Sequence, residues 1–309
     1  MLTMDILSAL LIILGLVAFE TINSVDNAVI NAEVIGTVGP KARRWFLTWG
    51  MFYAVFLVRG LLPLLIVWAA IPGLGFIDAF MATLHSDPTT IAAIEASSPI
   101  LLLGAGIFIL FLFLHWLFLE PKTLGLPTEK FFLDNGLWFF STVSVILASV
   151  VWLAIDANPM LAFGAVVGST AFFIMNGFKE NAEKVEAELA HGTKSDMSKV
   201  LYLTMIDTAF SMDGVLGAFA FTLAIPLILI GNGIGAYIVR WMTIANIENI
   251  KKYVFLKHGA MYSLLFLGLI MLLDGFGVHI PHYVSPVITF AVIGYFFKKS
   301  HRHLALTLT

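Results

Sequence analysis

Nine runs of predominantly apolar residues succeed one another along the chain, near 6–35, 46–71, 99–119, 136–155, 159–177, 200–223, 226–246, 259–275 and 284–297. Apolar runs that can cross a hydrocarbon core predict membrane-spanning helices. Inside the first, a polar stretch breaks the pattern: Glu20-Thr21-Ile22-Asn23-Ser24-Val25-Asp26-Asn27. It returns in the sixth as Asp207-Thr208-Ala209-Phe210-Ser211-Met212-Asp213-Gly214. Both copies read acid-Thr-x-x-Ser-x-Asp. An ionisable side chain within a span costs about 2.5 kcal/mol or more, so its presence calls for a function.

Composition agrees with the pattern. Of 309 residues, 60% are hydrophobic and 12% charged, with a mean hydropathy of +0.95. A soluble domain carries about 25% charged residues, so the chain reads as an all-α, multi-pass membrane protein. It contains no cysteine, which excludes disulfides, thiolate metal sites and cysteine nucleophiles. No basic segment precedes the first apolar run, so the first helix is expected to remain in the mature protein rather than act as a cleaved signal.

The placement of charge orients the spans. Lys41, Arg43 and Arg44 follow span 1, and Lys122 and Lys130 follow span 3. Lys179, Lys184, Lys194 and Lys199 follow span 5, Lys251, Lys252 and Lys257 follow span 7, and Lys298, Lys299 and Arg302 follow span 9. The opposite loops contain no Lys or Arg. Basic loops favour the cytoplasm, which predicts an outside N-terminus and an inside C-terminus, in the plasma (inner) membrane. Spans 1 and 6 then run in opposite senses, as do spans 2 and 7, which carry Arg59 and Arg240 after similar residues. The expected architecture is an inverted-topology repeat of helices 1–4 and 6–9, with helix 5 as connector and the site near the midplane. Its divisions are 1–155, the linker region 156–199, and 200–309.

A single helix from Ile6 to Gly36 would measure about 46 Å against a core of about 30 Å. Glu20, Asn23, Ser24, Asn27 and Asn31 share one helical face, whereas Asp26 lies about 120° from Glu20. A local break near Ser24–Asn27 would let both carboxylates converge and free backbone carbonyls, and Asp213-Gly214 suggests a similar break in span 6. The segment from Ile71 to Pro99 reads as a solvated loop, and Lys179–Lys199 as an exposed amphipathic helix and linker. Gly231-Asn232-Gly233-Ile234-Gly235 follows no strand and reads as close helix packing or a hinge.

The candidate ligands are Glu20, Ser24, Asp26, Asn27, Asp207, Ser211 and Asp213, an all-oxygen set. Oxygen donors suit hard cations such as Mn, Ca and Mg. Arg59 and Arg240 would offset the surplus negative charge. Crowded, desolvated carboxylates favour protonation, so a site that releases protons on taking a metal has the chemistry of an antiporter. His115 and His258 are secondary candidates, as relays or packing groups. The competing class is a membrane enzyme, an aspartyl protease built on two intramembrane acids. The Gly-x-Gly-Asp and His-Glu-x-x-His sequences of membrane proteases are both absent. The chain therefore reads as a transporter rather than an enzyme, with the bilayer, a metal ion and protons as partners, and neither nucleic acid nor a prosthetic group.

These motifs resemble the TerC family, within the wider group that includes the LysE-type exporters, and are most similar to an uncharacterised-domain branch of TerC-like membrane proteins. The resembling stretches are Phe19–Ala32 and Phe46–Met51, then Asp207–Ala220, Gly233–Ala236 with Val239-Arg240, and His258–Tyr262. The resemblance implies metal-ion transport, with manganese export foremost, and family acids at Glu20, Asp26, Asp207 and Asp213. The chain departs from that pattern at Met261, where histidine is usual, and ahead of His115-Trp116, where an acid is expected. The LysE-type alternative is export of a small organic solute such as an amino acid.

Overall fold

The computed structural model describes residues 6–24, 34–50, 52–53, 61, 64–65, 68, 75, 77, 88–122, 124–191, 195–245 and 252–307, with side chains of 88–95, 182–183, 186–191, 205–212, 242–245 and 307 excepted. No strand occurs among the described residues. The helices are α1 (Ile6–Asn23), α2 (Pro40–Trp45), α3 (Pro88–Leu119), α4 (Pro127–Asp134), α5 (Phe139–Ala157), α6 (Pro159–His191), α7 (Asp196–Ala218), α8 (Ile225–Ala245), α9 (Leu256–Gly275) and α10 (Val284–Thr307). A π-helical segment, Phe46–Gly50, follows α2, and a 3-10 turn, Gly136–Trp138, leads into α5. Proline opens α2, α3, α4 and α6, where its missing N–H has no intrahelical partner to lose.

Five described segments are long and apolar enough to cross a bilayer: Ile6–Asn23, Ala96–Leu119, Gly136–Ala157, Pro159–Asn181 and Leu256–Gly275. Ile225–Trp241 is a shorter apolar helix. α5 turns Val145, Trp152 and Leu153 outward with more than half of each exposed. Water would penalise such a face, whereas lipid accepts it. The protein is a membrane protein.

One expectation changes here. The segment before Pro99 is not all loop, because α3 begins at Pro88 and runs through Pro99. Beyond span 5, the amphipathic helix expected from Lys179 onward continues that span without a break as far as His191, in one helix, α6, of 33 residues. At 1.5 Å per residue that is about 50 Å, longer than the hydrocarbon core, so its polar end extends past the apolar layer.

Close approaches fix how the helices run against one another. Leu16 and Glu20 of α1 meet Gly231 and Gly235 of α8, so those two helices are parallel. Phe19 meets Gly217 while Gly15 meets Phe221, so α7 runs against α1. Gly104 packs on Gly168, and Phe108 lies 6.0 Å from Phe172, so α3 and α6 are parallel. Leu103 meets Gly275, and the Trp116 ring lies 5.4 Å from that of His258, so α3 and α9 are antiparallel. α10 returns against α9, with Phe255 N–H donating to Ser300 Oγ at 2.9 Å and Phe296 touching Gly259.

These directions carry the basic segments to a common end. There Lys199 Nζ donates to Thr37 Oγ1 at 3.1 Å, the Gly39 N–H donates to Asp196 at 2.8 Å, and Lys257 pairs with Glu120. The apolar core lies along α3, between α6 and α9, with Phe108, Phe111, Trp116 and Phe172 almost fully buried.

The α3–α6 contact has no room for a side chain, since a Cβ on Gly168 would overlap the Gly104 carbonyl. Gly168→Val should therefore destabilise the protein by about 1–3 kcal/mol or more, as overpacking does. Thermal melting in detergent should show a lowered midpoint, with Gly177→Ala, on the same helix and facing open space, as the unaffected control.

Candidate functional site

Glu20 stands in the last turn of α1, surrounded by apolar sequence, yet none of its surface is exposed. Glycine makes this burial feasible. A Cβ on Gly235 of α8 would come within 2.7 Å of Glu20 Cβ and 2.8 Å of Cγ. On the other side, a Cβ on Gly214 of α7 would collide with Glu20 Oε2. The carboxylate thus occupies a slot between two helices that only missing side chains leave open. Ser24 Oγ donates to Glu20 Oε1 at 2.7 Å, and the Ser24 N–H closes the last turn on the Glu20 carbonyl at 3.1 Å.

α1 stops at Asn23 and Ser24 lies in a turn. Asp26 and Asn27 fall outside the described residues, so the expected break between Ser24 and Asn27 is described only at its first residue. In the second copy no break occurs, because α7 is helical without interruption from Asp196 to Ala218. Gly214 serves instead as the contact surface for Glu20. The backbones of Asp207 and Ser211 belong to α7, while their side chains lie outside the described set.

Asp213 precedes Gly214, about 100° around the helix, and so faces a different neighbour. Its carboxylate is 4.0 Å from Lys179 Nζ of α6. That lysine, assigned from sequence to an exposed amphipathic helix and linker, reaches the site because α6 continues as a helix beside α7. Arg240 lies further along α8 and is 8% exposed. Its Nη1 donates to the Phe46 carbonyl at 2.7 Å, where α2 passes into the π segment, and its guanidinium stacks 4.3 Å from the Phe46 ring. Arg59 is outside the described residues.

A second buried polar cluster was not legible from motifs. Glu129, in the first turn of α4, is wholly buried. Its Oε2 accepts the Leu126 N–H at 2.7 Å and sits 3.1 Å from His258 Nε2. Burial alone would push this acid upward, but the contact with His258, the Leu126 N–H and the Tyr262 hydroxyl outweigh it and hold its pKa below the ordinary value. Next to it, Lys122 Nζ donates to the Trp116 carbonyl at 2.6 Å and lies 4.5 Å from the Trp116 ring. Pro127-Thr128-Glu129 does carry a local sequence cue, proline at the helix start followed by an acid that folds back on the preceding N–H. His115, by contrast, packs between the Phe139 and Phe172 rings at 5.6 and 6.1 Å.

The described site donors are oxygens: the Glu20 carboxylate, the Ser24 hydroxyl and the Gly214 carbonyl, with the Asp213 carboxylate on the adjoining face. No cluster of three or more His, Cys, Asp or Glu side chains able to hold a metal occurs among the described residues. An apolar cavity of about 250 Å³, lined by Trp45, Trp49, Phe52 and Tyr53, adds no ligand suited to a cation.

A family model described as "Protein of unknown function (DUF475)" matches residues 25–304. No curated protein and no solved structure matches the chain.

Two outcomes follow from the site geometry. Gly214→Ala should expel the Glu20 carboxylate and lower stability by about 1–3 kcal/mol, read as a drop in melting temperature that Glu20→Ala in the same chain partly restores. A depressed acid stabilises the fold above its unfolded pKa of about 4.3, and that contribution fades as pH falls through the lower folded value. Glu129→Gln should therefore lower the melting temperature at pH 7, with a loss of about 3–5 kcal/mol, and flatten its decline in acid. Melting curves from pH 7 to pH 3 test this.

Proposed function

We propose that this chain, which belongs to the DUF475 family, is a membrane transporter that exports a hard divalent cation, manganese foremost, in exchange for protons. The observation that carries the reading is Glu20, a fully buried carboxylate held among oxygen groups where three helices meet. An acid that cannot reach water must be protonated or closely partnered. Exchanging a proton for a cation satisfies it in both states of a transport cycle.

The proposal includes the finer architecture: nine spans, the inverted repeat, an outside N-terminus and an inside C-terminus in the plasma (inner) membrane. The parallel and antiparallel pairings agree with alternating crossings, and the basic segments gather at one end, as cytoplasmic loops would. It also includes a relationship to the TerC family, on the motif resemblance alone. Asp26, Asn27, Asp207 and Ser211 are proposed as the remaining ligands, with Arg59 and Arg240 setting the charge of the site.

One observation favours a second reading. Lys179 beside Asp213 offers both charges that a zwitterionic amino acid would need, which is the chemistry of an exporter of small organic solutes. Flux in proteoliposomes under an imposed pH gradient separates the two, comparing Mn with Ca, Mg, Zn and a neutral amino acid. Manganese flux is expected. Removing the charge of a buried partner costs about 3 kcal/mol or more, roughly a hundredfold, so Glu20→Gln should reduce flux at least that far while the protein still inserts. Asp213→Asn should impair it too. Flux of the amino acid alone would overturn the cation reading, and manganese flux unchanged in both variants would leave Glu20 and Asp213 without the role assigned to them.

A further inference from the structure

Asn232 lies in the apolar helix α8 between Gly231 and Gly233, and none of its surface is exposed. Its position is set by two close contacts on the same helix, Gly231 against Leu16 and Gly235 against Glu20. Its Nδ2 donates to the Gly214 carbonyl at 3.4 Å. Gly214 is also the residue against which Glu20 Oε2 packs, so the acid and the amide both contact one glycine.

Asn232 Oδ1 is buried without a hydrogen-bond partner among the described residues. An orphaned buried acceptor is costly, and an apolar side chain of similar size would avoid that cost. If the amide served only to join α8 to α7, its NH2 group would suffice, through a hydrogen bond that is already long. The amide oxygen belongs to a side chain that bonds the same glycine against which the buried carboxylate packs, and hard cations take carboxylate and amide oxygens together.

We infer that Asn232 Oδ1 is a ligand of the transported cation, forming with the Glu20 carboxylate a divalent-cation site at the junction of α1, α7 and α8. This rests on the cation reading above and adds to it a ligand that none of the motifs contains. Its chemistry also bears on turnover. A neutral oxygen here adds a ligand without adding to the charge of the proposed carboxylates, which limits how tightly the cation is held. A second carboxylate in its place would bind more tightly and release more slowly, because affinity in oxygen sites follows the ligand charge count.

The test uses the full chain in nanodiscs, with manganese alone as probe. Bound manganese is read from loss of the free-ion electron paramagnetic resonance signal, and flux is read in proteoliposomes. Asn232→Leu keeps the size, removes the oxygen and suits an apolar helix. It should weaken manganese affinity by about tenfold or more, with the metal-free melting temperature maintained or raised. Asn232→Asp should tighten binding and slow flux, and this arm decides the matter should the leucine variant fail to fold. Unchanged affinity in Asn232→Asp, or in a folded Asn232→Leu, while Glu20→Gln abolishes binding, would overturn the inference and leave the cation reading standing. Unchanged binding in Glu20→Gln would overturn the shared site and this inference with it, and no manganese binding by the unaltered chain would overturn the cation reading itself.

Discussion

A carboxyl group enclosed by apolar helices tolerates few arrangements, and the burial of Glu20 is the constraint on which this part of the molecule depends. Water is excluded, so every nearby oxygen and N–H becomes part of the electrostatic balance of that group. Enclosure requires the backbones of α7 and α8 to come within reach of α1, which the absent side chains of Gly214, Gly217, Gly231 and Gly235 permit. In membranes, association relies on such close packing, because lipid offers no hydrophobic gain for bringing helices together. The small residues of α7 and α8 and the acid of α1 are therefore one design: the same contacts that join the helices also seal the acid.

Away from that junction, polar contacts at the end where the basic segments gather tie the bundle together. Lys257 with Glu120 and His258 with Glu129 both link the segment after α3 to the start of α9. Along their length α3 and α9 touch through glycines, Gly106 on Leu272 and Gly275 on Leu103. α6 joins the same body through Gly104, Gly164 and Gly168. The molecule thus has a glycine-packed, end-braced unit of α3, α6 and α9, alongside the junction of α1, α7 and α8 that holds the acid. Lys179 to Asp213 reaches from the one to the other. Under the transport reading, that reach would let the braced unit respond to charge at the site.

Much of this is local and could be read from the chain. A run of apolar residues becomes a helix in lipid whatever surrounds it, because each backbone group must find its partner within the segment. Helices accordingly appear at every described run, and charge in the apolar stretches marked Glu20, Asp213 and Arg240 as residues in need of a role. The glycines of 231–235 were legible as packing residues for the same reason, having no side chain to serve any other purpose. Glu129 lies between apolar runs and Asn232 among glycines, and no local pattern at either position records burial.

Tertiary structure alone decided which of these groups meet. A glycine following Asp213 was compatible with a broken helix or with a flat contact face, and only the approach of Glu20 selects the unbroken α7 with a contact face. A basic stretch after an apolar run reads as an exposed amphipathic helix and linker, and only the packing of α6 beside α7 carries Lys179 to Asp213. Spacing along one helix determines the angle between side chains, but their distance to another helix depends on how closely the backbones pack. At the acid, that closeness is set by glycine contacts between residues roughly two hundred positions apart, which no local pattern records.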